Sequence, residues 1–467
     1  MITIDDALTD PNLFGAALGD PEPWAVWRVI LKAAFALPMT RSEIRTFRSL
    51  SGRRRLPRRR VAELWVIAGR RGGKSRMAAL IASYIAGFEE HKAKLAPGET
   101  GHVLALSPSK AQARTVADYC EGFYSVSPVL AQSVEAVRAE SIRLQGNIEI
   151  GAHANSFRTV RGRTLLAAIF DESAFWRDET SAMPDIETYR AVLPALATTG
   201  GMLVGISSPY RKVGLLHQKW RDHFGQDGDV LVIQAPTLTL NPTIDADVVA
   251  RARKADPESA KAEWDGEFRG DISQLLDDAM IDAAIEADRP IEIPPREGAE
   301  YVAFVDPSGG RHDAFTWCIG HREKDLFVAD MVKGRKPPFD PNEVVREIAR
   351  DVRAYGLRRV TGDNFAGEWV KQSFSDAGIS YVRAEMPKSQ LYLEAVPSFS
   401  RRTVQIPNHP VLIRELRLLE RRTTRSGRDS VDHPQNGTDD FANALVGAMR
   451  VTARTDGRLF ASEIMMI

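Results

Sequence analysis

Short, continuous apolar runs alternate with segments of helical periodicity over the first half of the chain. The runs have the length of strands: ELWVIA (63–68), HVLAL (102–106), LLAAIF (165–170) and MLVGI (202–206). Strands that are apolar at every position are typical of a parallel sheet covered by helices on both faces. The pattern therefore predicts an α/β domain over residues 1–270.

A second α/β pattern begins after an acidic segment that ends in IEIPPREG, which we interpret as a linker over residues 271–296. Beyond it, YVAFVD, FTWCIGH and LFVADMV are predicted strands, and a helix over 341–355 leads to the strand RRVTGD. The chain closes with a helix of small and apolar residues, DDFANALVGAMRV, that begins with two acids. A second domain is therefore predicted over residues 297–467.

Composition and charge narrow the classes of function. Hydrophobic residues make up 43% and charged residues 27% of the chain, and 62 Lys and Arg balance 62 Asp and Glu. Binding of nucleic acid would therefore need local basic patches. Two segments offer them: 41–60 has nine Arg against one Glu, and 401–428 has eight Arg against two Glu. Such runs are also common on solvated helix faces. The two segments together nevertheless indicate contacts with nucleic-acid phosphates that do not read the base sequence.

Cysteine content and the lack of targeting patterns bear on location. Cys120 and Cys318 are the two cysteines of the sequence, which excludes a disulfide scaffold and a Cys-rich zinc site. The N-terminus lacks the residue order of a signal peptide, and no apolar run approaches the roughly 20 residues of a membrane span. We expect a soluble protein of the cytoplasm that has no membrane partner.

A phosphate-binding loop is predicted after the first strand. Residues 68–75 (AGRRGGKS) nearly match G-x-x-x-x-G-K-[ST], with alanine in place of the first glycine. The backbone N–H groups and the N-terminus of the following helix would face a polyphosphate, Lys74 would contact the β- and γ-phosphates, and Ser75 would help to hold Mg²⁺. The alternative is a surface turn rich in Gly and Arg. The nucleotide-binding residues predicted in the loop are Gly69, Arg70, Arg71, Gly72, Gly73, Lys74 and Ser75.

Two later strand ends complete the predicted ATPase site. LLAAIF ends in Asp171, which would belong to the Mg²⁺ shell, and Glu172, which would polarise the attacking water. MLVGI ends in Ser207 and Ser208, which would bind the nucleotide and sense loss of the γ-phosphate, although an ordinary turn before proline is an equal alternative. The transferred phosphoryl group also needs positive charge, and the candidates are Arg70, Arg71, Arg158, Arg161 and Arg163.

A second acidic group is predicted in the C-terminal half. Asp306 ends the strand YVAFVD, Asp363 ends RRVTGD, and Asp439 and Asp440 open the last helix. Carboxylates that converge from separate elements can hold two divalent cations, which would clamp both oxygens of a phosphodiester displacement. The alternative is that these acids are unrelated, since acids are frequent in the sequence. Asp313 is a candidate accessory ligand, although a solvated turn acid is the simpler interpretation.

Taken together, the motifs resemble those of one family, the large terminase subunit of tailed bacteriophages. The resemblance covers about residues 20–455 and depends on seven stretches in a fixed order: AGRRGGKS, IFDESAFW, GISSP, NPTID to AEWDGEF, FVDPSGG, TGDN and DDFANAL. It implies an N-terminal packaging ATPase of the additional-strand, RecA-like P-loop type. It also implies a C-terminal nuclease of RNase H/RuvC-like fold.

The resemblance also implies roles for individual residues. Lys74 and Ser75 would bind phosphates and Mg²⁺, Asp171 would be the metal-shell acid, and Glu172 the catalytic base. Residues 207–209 resemble the motif that couples hydrolysis to domain movement, and Arg70 or, from a neighbouring subunit, Arg161 would be the arginine finger. The nuclease metal ligands would be Asp306, Asp363 and one or both of Asp439 and Asp440. The tryptophans of PWAVW depart from the glutamine that many members have near adenine, which leaves the adenine contacts open.

The cofactors implied are ATP and Mg²⁺, with Mn²⁺ as an alternative at the nuclease site. The partners implied are double-stranded DNA, the portal protein, a small terminase subunit, and further copies of the chain in a ring on the portal in the host cytoplasm. Two other readings stay open. The chain could be a DNA helicase or repair ATPase without nuclease activity, or its second domain could be a docking module whose acids are structural.

Overall fold

The computed structural model describes residues 2–176, 184–311, 313–363, 367–423, 429–434 and 437–464, and for residues 157, 158 and 454–464 it describes the backbone alone. The chain divides into two compact units, one up to Gly270 and one from Asp271 onwards. Residues 271–296, the predicted linker, belong to the second unit. Among the described residues, no helix combines the length and the apolar character needed to cross a bilayer.

Eight described strands of the first unit form one sheet in the order β3-β4-β5-β2-β6-β7-β1-β8. Its strands are β1 (Glu63–Ala68), β2 (Gly101–Ser107), β3 (Val134–Val137), β4 (Ser141–Leu144), β5 (Ile148–Ala154), β6 (Thr164–Asp171), β7 (Met202–Ser207) and β8 (Val230–Ala235). β4 pairs antiparallel with both of its neighbours, and the remaining pairs of the sheet are parallel.

The helices of the first unit lie between these strands and at both ends of the unit. They are α1 (Ile4–Thr9), α2 (Gly15–Leu18), α3 (Ala25–Ala34), α4 (Arg41–Ser51), α5 (Lys74–Phe88), α6 (Lys110–Val126), α7 (Pro128–Ala131), α8 (Phe157–Val160), α9 (Pro184–Ala197), α10 (Gly214–His223), α11 (Thr237–Leu240), α12 (Ala246–Ala255) and α13 (Pro257–Glu263). Short 3₁₀ turns occur at Glu22–Trp24, Lys92–Lys94 and Ser173–Phe175.

The central strands of this sheet are buried on both faces. In β1, Leu64 and Val66 belong to the core under α3, α5 and α6, whereas Trp65 and Ile67 belong to the core under α9 and α10. β7 lies between β1, which leads into the phosphate loop, and β6, which ends in Asp171. One strand between these two is the additional-strand arrangement of RecA-like P-loop ATPases, so this part of the predicted fold class is confirmed.

The second unit has a mixed sheet in the order β10-β16-β13-β12-β11-β14-β15 and a small sheet in the order β18-β17-β9. The strands are β9 (Ile272–Gln274), β10 (Ile285–Glu286), β11 (Tyr301–Asp306), β12 (Phe315–Glu323), β13 (Leu326–Arg335), β14 (Arg359–Gly362), β15 (Ser380–Arg383), β16 (Val404–Pro407), β17 (Glu420–Thr423) and β18 (Asp429–Asp432). The helices are α14 (Asp278–Ala284), α15 (Pro341–Ala354), α16 (Glu368–Asp376), α17 (Lys388–Ser400), α18 (Pro410–Leu418) and α19 (Asp440–Ile464).

Five consecutive strands of this unit, β11 to β15, have the spatial order third-second-first-fourth-fifth. The second of them, β12, is antiparallel to both neighbours, and β11, β14 and β15 are parallel. This is the strand order of the RNase H/RuvC-like fold, so the second part of the predicted fold class is also confirmed. Apolar residues of α17, α18 and α19 cover one face of the sheet, and those of α15 and α16 cover the other.

Candidate active sites

The predicted phosphate loop joins β1 to α5. A Cβ at Gly69 would lie 2.2 Å from Thr237 Oγ1, and Gly73 has a φ of +81°, so glycine is required at both positions. Two residues that are not part of the loop bind its carbonyl oxygens. Thr237 Oγ1 donates to Arg70 O at 2.8 Å, and Asn241 Nδ2 donates to Arg71 O at 2.9 Å. The loop is therefore shaped before any phosphate binds.

Lys74 is the first residue of α5 and is 5% exposed. Its ammonium donates to the carbonyl oxygens of Ala68 (3.1 Å) and Gly69 (2.9 Å) and to Ser208 Oγ (2.9 Å). It also lies 3.6 Å from Glu172 Oε1. The cation is thus positioned at the loop by neutral oxygens that phosphate oxygens could replace.

Asp171, at the end of β6, is 3% exposed. Its two carboxylate oxygens accept hydrogen bonds from Ser75 Oγ (3.3 Å) and Ser107 Oγ (3.2 Å). Burial, with the negative charge of Glu172, raises the pKa of Asp171 to about 7. The Ser75 hydroxyl, in the first turn of α5, and the Asp171 carboxylate are oxygen ligands that suit Mg²⁺. The residues present therefore fit the predicted cation.

Ser107 was missed by the sequence analysis. It ends β2, and that strand lies beside β6 in parallel pairing, so the ends of the two strands reach the same edge of the sheet. The available signal was a polar residue directly after the apolar run HVLAL.

Glu172 connects the acidic strand end to the serine turn. Its Oε2 accepts hydrogen bonds from Ser207 Oγ (3.1 Å) and from the backbone N–H of Ser208 (2.9 Å). Its backbone has a φ of +50°, which is rare for a residue with a side chain and is frequent at functional sites. Ser208 contacts both Lys74 and Glu172. The serine turn is therefore in contact with the cation of the phosphate loop and with the acid that follows β6.

The candidate arginines lie in different surroundings. Arg70 is 60% exposed and forms an ion pair with Glu263 at 3.2 Å. Arg71 is exposed and has a φ of +63°. Arg161 is exposed and lines a groove together with Arg190 of α9. The choice of an arginine finger among them stays a prediction.

The tryptophans of PWAVW lie against the phosphate loop. Trp27 Nε1 donates to Gly72 O at 2.8 Å, and a Cβ at Gly73 would meet the ring of Trp24 at 2.9 Å. The guanidinium of Arg76, in the first turn of α5, lies 5.3 Å from the centre of the Trp24 ring. The segment PWAVW, for which the sequence left the adenine contacts open, therefore lies beside the phosphate loop.

The second site lies where β11, β14 and α19 meet. Asp306 ends β11, and the N–H of Asp363, directly after β14, donates to Val305 O at 3.3 Å. Asp440 begins α19, and its Oδ2 accepts from the N–H of Ala314 at 3.0 Å. The parallel pairing of β11 with β14 brings the first two acids to one sheet edge, and the tie to Ala314 brings the helix start to the same edge.

The four aspartates lie close enough together for their negative charges to affect one another. Burial raises the pKa of Asp306 well above its ordinary value, and the negative charges of Asp440, Asp363 and Asp439 raise it further. Burial and the neighbouring acids Asp439 and Asp313 raise the pKa of Asp440 to about 6. Carboxylate oxygens that lie close together are the ligands that hard divalent cations prefer, so the residues present fit the predicted metal.

Asp439 differs from the other three acids. It is 4% exposed, and Lys388 Nζ lies 3.0 Å from its Oδ2, to which Tyr392 OH also donates at 2.9 Å. Lys388 is also 3.1 Å from Asp432 Oδ1. Asp432, His433 and Asp439 place ligand atoms within 4.8 Å of one another, but the ammonium of Lys388 already neutralises two of them.

Several residues around this site were missed by the sequence analysis. Lys388 and Tyr392 hold Asp439, and Asn443 Nδ2 donates to Asp363 Oδ2 at 3.5 Å. The buried carboxylate of Glu415 accepts from the N–H of Phe441 (2.8 Å), which caps the start of α19. Asn443 could have been found from its helical spacing to the two acids, whereas the others come from elements with no such signal.

The predicted basic segments are partly structural. Arg53 is 2% exposed and donates to backbone carbonyls, and Arg59 lies 2.7 Å from Asp229. Arg425 and Arg428 lie outside the described residues. Exposed arginines of the first segment are Arg41, Arg45, Arg48, Arg54, Arg55, Arg58 and Arg59.

No protein-family model and no curated protein matches the chain. Solved structures to which it is similar are large terminases of bacteriophages. The HK97 large terminase is 16% identical with a TM-score of 0.38, over 91% of this chain and 98% of that one. The large terminase of the thermophilic bacteriophage D6E in complex with ADP is 12% identical with a TM-score of 0.36, over 83% and 93%.

A third solved structure is similar over a smaller share of the chain. The large terminase nuclease from the thermophilic phage G20c with bound magnesium is 20% identical with a TM-score of 0.31, over 36% of this chain and 94% of that one. The family that the motifs resemble is therefore also the family of these solved structures.

Proposed function

We propose that the chain is the large terminase subunit of a tailed bacteriophage, an ATPase that moves double-stranded DNA into a prohead and a metal-dependent endonuclease that cuts concatemeric DNA. One observation carries the proposal. A phosphate loop with an acid pair at one sheet edge and a separate group of four aspartates occur in one chain, on the two fold types that these activities use. In this proposal residues 1–270 form the ATPase domain and residues 297–467 the nuclease domain, and the segment 271–296, interpreted from the sequence as a linker, packs with the second unit.

In the ATPase, the loop binds the phosphates of ATP and Lys74 contacts the β- and γ-phosphates. Ser75 and Asp171 hold Mg²⁺, which neutralises charge that develops on the phosphates. Glu172 orients the attacking water and accepts its proton. The 3.6 Å ion pair between Lys74 and Glu172 Oε1 supports this assignment. A phosphate that replaces Glu172 as the partner of Lys74 leaves this carboxylate oxygen free to bind the water.

Coupling to movement runs through the serine turn. Ser208 contacts Lys74 Nζ and, by its N–H, Glu172, so a change in the partners of either group alters the hydrogen bonds of this turn. Arg70 within the subunit, or Arg161 from a neighbouring subunit, supplies the additional positive charge. In this proposal the chain works as a ring on the portal protein, together with a small terminase subunit, in the host cytoplasm.

In the nuclease, Asp306, Asp363 and Asp440 hold Mg²⁺ or Mn²⁺, with Asp439 beside them. When bound by these residues, the cations would supply the charge that activates water and stabilises the leaving oxygen. The chain's own residues fix the geometry: the strand pairing positions Asp306 and Asp363, and Glu415 holds the start of the helix that carries Asp440. Exposed arginines contact the DNA backbone, which suits packaging without regard to sequence.

The test is a pair of variants of the purified chain. Glu172→Ala should reduce ATP hydrolysis by about 10²–10⁴-fold, the usual contribution of a general base, and leave plasmid cleavage with Mg²⁺ or Mn²⁺ intact. Asp306→Ala should abolish plasmid cleavage and leave ATP hydrolysis intact. Strand separation by a wild-type protein that never nicks the plasmid would favour a helicase or repair ATPase instead. Cleavage that survives Asp306→Ala would favour acids with a structural role.

A further inference from the structure

Asn443 lies in the first turn of α19, three residues after Asp440 and four after Asp439, and is 1% exposed. Residues three and four apart on a helix share a face. The side chain of Asn443 is therefore a neighbour of both acids along the helix, and it is buried.

The amide of Asn443 lies beside the acids at the ends of two strands. Its Nδ2 donates to Asp363 Oδ2 at 3.5 Å, and its side chain lowers the pKa of Asp306 against the larger, raising effect of burial. The positive edge of the amide thus faces half-buried carboxylates, where the charge of a cation would be most favourable.

The other end of the same amide is left unused. Asn443 Oδ1 is buried, and within the described parts of the chain it accepts no hydrogen bond. A buried acceptor that lacks its hydrogen bond is unfavourable, and such a group in a folded protein calls for an explanation. Amide oxygens, like carboxylates, are ligands that hard divalent cations accept.

We propose that Asn443 is a metal ligand of the nuclease site, whose amide rotates so that Oδ1 binds the divalent cation held by Asp306 and Asp363. The inference rests on the nuclease proposed above. Without a cation, the N–H₂ end faces the carboxylates because Oδ1 would be repelled by them. With a cation, Oδ1 gains a partner and the buried acceptor is satisfied.

The main experiment measures Mn²⁺ binding to the full chain without nucleotide by isothermal titration calorimetry. Asp363→Ala serves as the reference that removes the site, so that binding elsewhere can be subtracted. Asn443→Leu, whose side chain has the same number of heavy atoms with the same branching and no oxygen, should bind Mn²⁺ at least about tenfold more weakly than the wild type, comparable to the loss when a metal site loses a supporting group.

Comparison with Asn443→Asp separates a ligand from a residue that only holds the acids. If Asn443 acted only as a hydrogen-bond donor, Asn443→Asp, whose carboxylate cannot donate, would weaken Mn²⁺ binding as Asn443→Leu does, whereas a ligand oxygen is retained in Asn443→Asp. Unchanged or tighter binding by Asn443→Leu would also overturn the proposal.

A second variant covers the case in which Asn443→Leu does not fold. Asn443→Asp keeps an oxygen ligand and adds charge, so it should bind Mn²⁺ at least as tightly as the wild type, and weaker binding would overturn the proposal. Thr452→Val is the matched control. It removes a buried hydroxyl that donates to Ala448 O in the same helix, and its Mn²⁺ affinity should equal that of the wild type.

The two proposals can fail separately. Plasmid cleavage by the wild type together with wild-type Mn²⁺ affinity in Asn443→Leu would refute the role of Asn443 and leave the nuclease in place. Weakened Mn²⁺ binding by Asn443→Leu in a wild-type protein that never cuts DNA would refute the nuclease and leave a metal site that includes Asn443.

Discussion

The two candidate sites solve the same problem, the burial of acids at a sheet edge, in different ways. In the first, Lys74 lies 3.6 Å from Glu172, and the two oxygens of Asp171 each accept a hydrogen bond from a serine hydroxyl. In the second, Lys388 contacts Asp439, whereas Asp440 accepts a backbone N–H and the pKa of Asp306 is raised by burial and by the neighbouring acids. The first site thus pairs its acids with a cation and hydroxyls of its own, whereas in the second Asp306 and Asp440 lie among other carboxylates.

Because of this difference, the two sites depend on their ligands to different extents. Buried charge is unfavourable unless it is paired or binds a metal. The phosphate loop and its lysine are therefore organised before ATP binds, and the ligand replaces existing hydrogen bonds. The aspartate site gains stability from the cation itself, so the structure of the second unit should be linked to metal binding and to pH more strongly than that of the first.

The largest effect is expected where the second site does have a compensating charge. Lys388→Met leaves Asp439 buried without its cation, and we expect plasmid cleavage to fall by about 10–100-fold, as for loss of other groups that orient metal ligands. The free energy of unfolding should fall by about 2 kcal/mol, less than the loss of one partner from a fully buried pair because Lys388 is 30% exposed. Plasmid nicking and urea unfolding are the measurements.

The matched control is Lys333→Met in the same unit. Lys333 is 27% exposed and also faces two acids, Glu292 at 3.0 Å and Asp351 at 3.4 Å. Its loss should lower stability without changing cleavage. Full cleavage by Lys388→Met would show that the position of Asp439 is unimportant for the reaction.

A smaller effect concerns the pH dependence of the metal-free protein. The pKa of Asp440 is about 6 in the fold, above its ordinary value of 3.8, so folding favours the protonated form. The stability from this group is fully present below about pH 4 and is lost as the pH rises through about 6. With EDTA, Asp440→Asn should therefore be more stable than the wild type by about 2 kcal/mol at pH 7 and equally stable at pH 4.

Urea unfolding of both proteins at the two pH values measures this difference. Excess Mn²⁺ should stabilise the wild type at pH 7 and leave Asp440→Asn less affected, because the cation binds the ionised acid. A wild type whose unfolding at pH 7 is the same with EDTA and with Mn²⁺ would remove the proposed contrast between the sites.

The smallest effect is expected in the first site, where charge is already compensated. Ser107→Ala removes one of the two hydroxyls on Asp171 and leaves Ser75 in place, so ATP hydrolysis should fall by about 3–10-fold, equivalent to one hydrogen bond of about 1 kcal/mol. Ser109→Ala, which removes the N-cap hydroxyl of α6, should lower stability without this loss. A Ser107→Ala variant with full ATPase activity would show that Ser75 alone positions Asp171.

Much of the fold and many of the site residues could be predicted because they follow local patterns. Continuous apolar runs predicted the central strands of the first sheet, the glycine-rich loop motif predicted Lys74, and the polar residues at the end of one strand predicted Asp171 and Glu172. The supporting groups could not be predicted in this way. Lys388 and Glu415 approach the aspartates from α17 and α18, and no periodicity relates them to residues that are adjacent only in space.

The amino-acid order by itself determined the strands, the glycines of the phosphate loop and the presence of acids at strand and helix ends, because backbone conformation and burial depend on neighbouring residues. Only the tertiary structure decided which acids have a compensating charge. Asp439 and Asp440 are consecutive, yet one faces Lys388 and Tyr392 while the other faces the N–H of Ala314. Adjacent residues at a helix start point in different directions, and the elements that happen to pack there determine what each carboxylate meets.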